Sequence, residues 1–152
     1  MICKQCWCRL LTISLVLCCL CIPAAAVSDD GIIAMDDLSW EIVTEPIKVW
    51  ENQIESRVTS SIRMDVPAGE TNKSSSKVSL DVGDTVTFDC VYSPASANVN
   101  YGVIAPDGRF YSLNTSSGRL NRAIRVSQRG LYSLAVRNNS ATAISVSGFV
   151  NY

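Results

Sequence analysis

The sequence predicts an all-β protein, an antiparallel β-sandwich of jelly-roll-like character with about eight strands, preceded by an N-terminal arm or short helix. Three observations carry this. The stretch GLYSLAVRN, residues 130–138, alternates with period two: Tyr132, Leu134 and Val136 point one way, Ser133, Ala135 and Arg137 the other. Similar short runs recur at spacings of roughly 8–12 residues, each closed by turn-forming residues. No helical crossover fits between them, which excludes a parallel βαβ organisation.

The N-terminus is read separately from the fold. Residues 1–26 have the form of a secretory signal peptide. Lys4 and Arg9 supply its charge, residues 10–22 its apolar stretch, and Pro23 with Ala24, Ala25 and Ala26 the break and small-residue cleavage pattern. The alternative, a retained membrane anchor, is disfavoured by length: extension to Val27 gives only about 17 residues, against the ~20 that a span needs. Six of the seven cysteines lie in this segment. Cys3, Cys6 and Cys8 therefore mimic a metal motif without being one. Cys18, Cys19 and Cys21 follow Leu17, Cys18 and Leu20, not the small residue of a lipoprotein signal. Cys90 alone remains, so the secreted chain has no internal disulfide, and about 125 residues must supply stability by core burial.

The whole chain carries a net charge of −1, and loss of Lys4 and Arg9 takes it to about −3. Residues 27–70 hold ten acids and three bases, residues 71–152 four acids and eight bases. No dense basic cluster with interleaved aromatics occurs, so nucleic acid is not an expected partner.

In chain order, residues 27–37 (VSDDGIIAMDD) read as an acidic, irregular terminus. The spacing of Asp29, Asp30, Asp36 and Asp37 fits no EF-hand loop, and no metal is expected there. Residues 38–56 are ambiguous. Ile47, Trp50 and Ile54 form a helical stripe with Pro46 suited to a first turn, whereas Trp40, Ile42 and Ile47, Val49 read as strand pieces broken at Pro46. The stripe favours a short helix or irregular arm, so residues 27–56 are taken as an acidic leader and 57–152 as the sandwich domain.

The first strand falls in residues 57–66, with Val58, Ile62, Met64 and Val66 in phase. Residues 67–76 are polar and read as a loop. Val78, Leu80 and Val82 then alternate with Ser79 and Asp81. After a Gly83-Asp84 turn, Val86, Phe88, Cys90 and Tyr92 alternate with Thr85, Thr87, Asp89 and Val91. Residues 99–113 form a hairpin about Pro106-Asp107-Gly108, where proline presets φ and glycine tolerates positive φ. Ile124 and Val126 turn inward with Arg119, Arg122 and Arg125 outside. Ile144, Val146, Gly148 and Val150 form the last inward set.

Three phrases occur together: VGDTVTF (82–88), YGVIAPDG (101–108) and GLYSLAVRN (130–138). Their order resembles the bacterial pre-peptidase C-terminal type of β-sandwich and similar small secreted domains of Gram-positive bacteria, over residues 78–152. That family usually accompanies an enzyme, and no enzyme domain is present in this chain. The resemblance implies a jelly-roll-like, non-catalytic module from a Firmicutes-type secreted protein.

The chain has no histidine, which removes Ser-His-Asp and Cys-His catalysis and the commonest zinc ligand. Cys90 shares the parity of Phe88 and Tyr92 and reads as a small buried hydrophobe rather than a nucleophile. Asp81, Asp84, Asp89 and Asp107 show no pair arranged for acid–base work. Asn72, Asn114 and Asn138 match the glycosylation acceptor pattern. No catalytic residue, metal or cofactor is expected, and the chain is not expected to be an enzyme.

The candidate ligand-binding residues are Arg109, Tyr111, Arg119 and Arg122. With Phe110 and Asn114 they are expected to surround one turn-rich end of the sandwich. Trp40 and Trp50 of the leader join them, since exposed tryptophans stack on sugars or fill partner pockets, although a tryptophan is more often a core or edge packer. The expectation is a secreted binding or interaction module acting on a cell surface, wall polymer, carbohydrate or partner protein. It would meet a membrane only through an uncleaved signal segment. The alternative is a small secreted effector (a toxin, bacteriocin-like or inhibitor protein) with residues 27–56 as its active or masking part.

Overall fold

A computed structural model describes residues 31–44, 47–50, 53–56 and 59–152. The signal-peptide reading of residues 1–26 lies outside these, as do Asp29 and Asp30. The described residues form an antiparallel β-sandwich with two parallel pairings at its margins. The strands are β1 (Ile32–Ala34), β2 (Trp40–Ile42), β3 (Ile47–Trp50), β4 (Gln53–Ser56), β5 (Thr59–Val66), β6 (Thr71–Ser74), β7 (Val78–Leu80), β8 (Thr85–Ser93), β9 (Val99–Ile104), β10 (Arg109–Thr115), β11 (Arg119–Arg125), β12 (Gly130–Asn138) and β13 (Ile144–Asn151). A single 3-10 turn, Met35–Asp37, follows β1.

One sheet runs β1-β11-β8-β13-β5-β4 and the other β2-β10-β9-β12-β6-β3, with β7 also pairing β12. The core lies between them. Val86, Phe88 and Val150 come from the first sheet and Val99, Tyr101, Val103, Tyr132, Leu134 and Val136 from the second, all 0% exposed. The rings of Phe88 and Tyr92 each stand 6.2 Å from that of Tyr101.

The N-terminal stretch corrects the arm-or-helix expectation. β1 and β4 are the two outer strands of the first sheet; β2 and β3 are the two outer strands of the second. The strands of residues 32–56 thus stand at both ends of each sheet's strand order, while β7 pairs β12 alone. β1 pairs parallel to β11 and β3 parallel to β6. Edge pairing satisfies backbone groups that an isolated short helix would leave at its ends, and it shields the sheet margins. The residues of the helical stripe, Ile47, Trp50 and Ile54, lie in two different strands. Met35 is 0% exposed and anchors this stretch in the core, while Asp36 Oδ1 accepts a 2.6 Å hydrogen bond from the Ser127 hydroxyl.

Residues 67–76 also differ from expectation, because the polar run contains β6. Its buried side chains are polar, and hydrogen bonds hold Ser74 Oγ and Asn72 Nδ2, while Asn72 Oδ1 is buried without a partner among the described residues. The Ser74 hydroxyl accepts from Leu134 N at 3.0 Å and donates to Ser76 O at 2.8 Å; Asn72 Nδ2 donates to Asp65 O at 3.2 Å. Val82, expected inward, is 68% exposed, since β7 ends at Leu80 and residue 82 belongs to the turn.

β12 sits at the centre of its sheet, between β9 and β6. Its expected outer face is covered too: Ser133 and Ala135 are 8% and 0% exposed, and Phe110 on the same face is 0% exposed. Arg137 of β12 forms an ion pair with Glu41 of β2. Their side chains meet over the two intervening strands, β10 and β9, where Gly102 contributes no bulk. A Cβ at Gly102 would lie 1.9 Å from the Tyr111 carbonyl oxygen, so the closeness of β9 to β10 admits only glycine.

Candidate binding surface

The hairpin turn positions the first candidate residue. Gly108 takes φ 84°, and its N–H donates to Ala105 O at 2.9 Å. The Asp107 carboxylate accepts from Arg109 N at 3.0 Å and lies 3.3 Å from the Arg109 guanidinium. One carboxylate therefore both shapes the turn and holds the arginine. β10 then pairs with β2 in a register that sets Arg109 against Ile42 and Tyr111 against Trp40. Diagonal to Trp40, the Arg109 guanidinium lies 4.2 Å from the indole centroid, a cation–π stack. Trp40 remains 51% exposed and Ile42 68% exposed. Beyond β2 no further strand follows among the described residues.

The expected cluster does not assemble as one site. Arg109 and Trp40 come together, although nearly seventy residues separate them in sequence. Tyr111 points into the core at 5% exposure. Arg119 and Arg122 are on β11, in the other sheet, because the chain changes sheets between β10 and β11. Arg119 lies 3.5 Å from Asp89 on that sheet's outer face, and Arg122 is exposed. Trp50 is half-buried on β3, at the opposite margin from Trp40, and packs against the core. Sequence reasoning missed Ile42 as a site residue; its alternation with Trp40 was the available signal. The Glu41–Arg137 pair, which fixes β2 from the other face, had no sequence signal at all.

Cys90 is 1% exposed, and burial, reinforced by the neighbouring Asp89 carboxylate, pushes its thiol up to about 12. It is a neutral thiol at physiological pH and a poor nucleophile. The acids of the domain are engaged locally. Asp81 pairs with Arg129 at 3.0 Å, Asp84 Oδ2 accepts from Asp81 N at 2.8 Å, Asp89 faces Arg119 and Asp107 faces Arg109. Among the described residues no group of three or more Cys, Asp or Glu is placed to hold a metal ion. Of the glycosylation-pattern asparagines, Asn72 and Asn138 are 5% and 0% exposed, and Asn114 is exposed. No helix of the described residues is long and apolar enough to cross a membrane.

No protein-family model matches the chain, and no curated protein matches it in sequence. Among solved structures it is similar to Aeromonas hydrophila PliG, a periplasmic lysozyme inhibitor of g-type lysozyme. The identity is 16% and the TM-score 0.49, over 69% of this chain and 96% of that one. A likeness at this level carries no conclusion about the present chain.

Proposed function

We propose that this protein is a secreted, non-catalytic binding module that engages an extracellular protein through the β2 edge, with Trp40, Ile42 and Arg109 as its anchors. The observation that carries this reading is the Arg109–Trp40 stack beside exposed Ile42 on a terminal strand. Tryptophan and arginine are the side chains that most often dominate protein–protein binding energy. A terminal strand also offers backbone donors and acceptors to a partner strand. Arg109 covers one face of the indole, which favours insertion of the ring's free face and edge into a protein pocket over sugar stacking on both sides. The absence of histidine and the buried, neutral Cys90 support the non-catalytic part of the reading. It is also the role implied by the resemblance to secreted sandwich modules.

The test is biolayer interferometry of the wild-type protein against a panel of purified secreted and cell-surface proteins. A partner bound through this edge should bind Trp40→Ala about thirtyfold more weakly, the effect of losing a ~2 kcal/mol anchor. Equal binding of wild type, Trp40→Ala and Arg109→Ala by every captured partner would sink the reading. Where the partner is an enzyme, its activity in the complex tells a simple binder from an inhibitor.

A further inference from the structure

The main chain of β2 decides what its open margin offers. Ala105 N donates to Arg109 O at 2.9 Å, and Ser112 N donates to Ser39 O at 3.5 Å. Residues along an antiparallel strand turn their N–H and C=O groups to its two neighbours alternately. Arg109 and Tyr111 therefore bond toward β9, and Phe110 and Ser112 toward β2. The register sets Glu41 against Phe110, Trp40 against Tyr111 and Ile42 against Arg109. Glu41 thus turns its N–H and C=O to β10, while Trp40 and Ile42 turn theirs to the margin. No described residue bonds to those four groups.

Trp40 and Ile42 are also the residues of this edge whose side chains are more than half exposed. Main-chain and side-chain contacts are therefore offered together, by alternate residues about 6.8 Å apart. Another extended polypeptide presents donors and acceptors at that repeat. A helix does not, because its main-chain groups bond internally, and a sugar carries no such row of amides.

The edge is unguarded and rigidly held. Edge strands are usually blunted by lysine, proline or burial. Residues 38–44 contain no Lys, Arg or Pro. By contrast, β7 is flanked by exposed Lys77 and Asp81, and the side chains of β1 are half-buried. The Glu41–Arg137 pair fixes β2 from one face and the stack of Arg109 on Trp40 from the other. An edge already in place loses little freedom when a strand is added. A second copy of this chain fits poorly. The antiparallel register that engages Trp40 and Ile42 of both copies sets Glu41 against Glu41 at the closest spacing of the ladder, a like-charge pair.

On the strength of the β2 edge as the binding surface proposed above, we infer that its partner is an extended segment of another protein, taken up as an added strand. The main chain of Trp40 and Ile42 bonds it. Its residues opposite these two point to the same side as their side chains and are apolar, one of them against the indole face that Arg109 leaves free.

Selection of a phage library of random twelve-residue peptides on the wild-type protein tests this. Enriched peptides should alternate apolar and polar residues and should bind as synthetic peptides. Methylation of the amide nitrogens along one edge of the bound peptide should abolish binding, and methylation along the other should not. Ile42→Pro removes an outward donor and none of the bonds to β10, so it should bind about tenfold more weakly than Ile42→Ala, the effect of one lost hydrogen bond. Its melting temperature checks that β2 is intact, and peptide methylation reads the same bonds with the protein unchanged. The inference is overturned if no peptide is enriched, if methylation of neither edge weakens binding, or if Ile42→Pro binds as well as Ile42→Ala. Peptides that need Trp40 and Arg109 but tolerate both of those changes would remove strand addition and keep the β2 edge as the binding surface. Peptides indifferent to Trp40→Ala would overturn both. Sedimentation of the free protein as a dimer that Ile42→Pro separates would make the occupant a second copy and overturn the inference.

Discussion

Replacement of Asn138 should be among the most damaging single changes to a polar side chain in this protein. Asn138 closes β12 and is 0% exposed. Its Nδ2 donates to Val66 O and Pro67 O at 3.1 Å each and to Thr142 O at 2.7 Å, while its Oδ1 accepts from Ser140 N at 2.9 Å. One amide thereby ties the end of β5 and the loop before β13 to the end of β12. Each such bond contributes about 0.5–1.5 kcal/mol net, and two N–H groups serve three carbonyls, so Asn138→Ala should cost about 2–4 kcal/mol. At roughly 3–5 °C per kcal/mol for a domain of this size, the melting temperature should fall by roughly 10 °C. Circular dichroism on heating and in urea measures both, and the urea slope should not change. Asn138→Asp separates hydrogen bonding from volume. It keeps the acceptor for Ser140 but turns an oxygen toward the three carbonyls, which disfavours the ionised carboxyl in the folded state. Its folded pKa is therefore raised, and its deficit should be small below the ordinary carboxylate range and grow as pH rises through and above it. Melting of Asn138→Ala within about 2 °C of wild type would refute the reasoning.

Two further outcomes follow from burial. Native Cys90 should resist a disulfide-exchange reagent at pH 8 and react fully in denaturant. Because its folded thiol is raised from 9.0 to about 12, its stabilising effect is complete below pH 9 and is lost as pH climbs toward 12. Burial also raises Tyr101. Alkaline titration of stability should therefore decline from about pH 9, and a flat profile to pH 11 would contradict the assigned burial. Met35→Ala removes the fully buried anchor of the edge-forming stretch and should cost about 2–5 kcal/mol. Limited proteolysis should then cut within residues 31–44 before the rest of the chain, and a wild-type cleavage pattern would show that β1 and β2 are held without it.

The sandwich was legible from residue 77 onward because its core-facing residues are apolar and recur with period two, even where, as in β12, the other face is covered as well. Val99, Tyr101 and Val103, and Val86, Phe88, Cys90 and Tyr92, are inward as the period requires. β6 was hidden because its inward residues Asn72 and Ser74 are polar and are held by hydrogen bonds through Asn72 Nδ2 and Ser74 Oγ. Strands β2 and β3 were legible only as the less favoured of two readings, and β1 and β4 were not legible, for a different reason. An edge strand is held mainly by backbone pairing, so its side chains need no period; Trp40, Ile42 and Val49 are all more than half exposed. The candidate site divides along the same line. Arg109 and Trp40 were each visible as chemistry, but their contact depends on a register between β10 and β2 that no local pattern encodes.

Amino-acid order alone determined the all-β class, most of the inward set of the core from Val86 onward, and the hairpin turn at Pro106-Asp107-Gly108. All are local consequences of period-two burial, turn stereochemistry and composition. Tertiary structure decided which strands meet. It put the strands of residues 32–56 on the sheet margins, sent Arg109 and Arg119 to opposite sheets, and brought Arg109 against Trp40. Pairing energies between edges depend on backbone groups common to all residues, so the choice among partners is settled only when the whole sandwich packs.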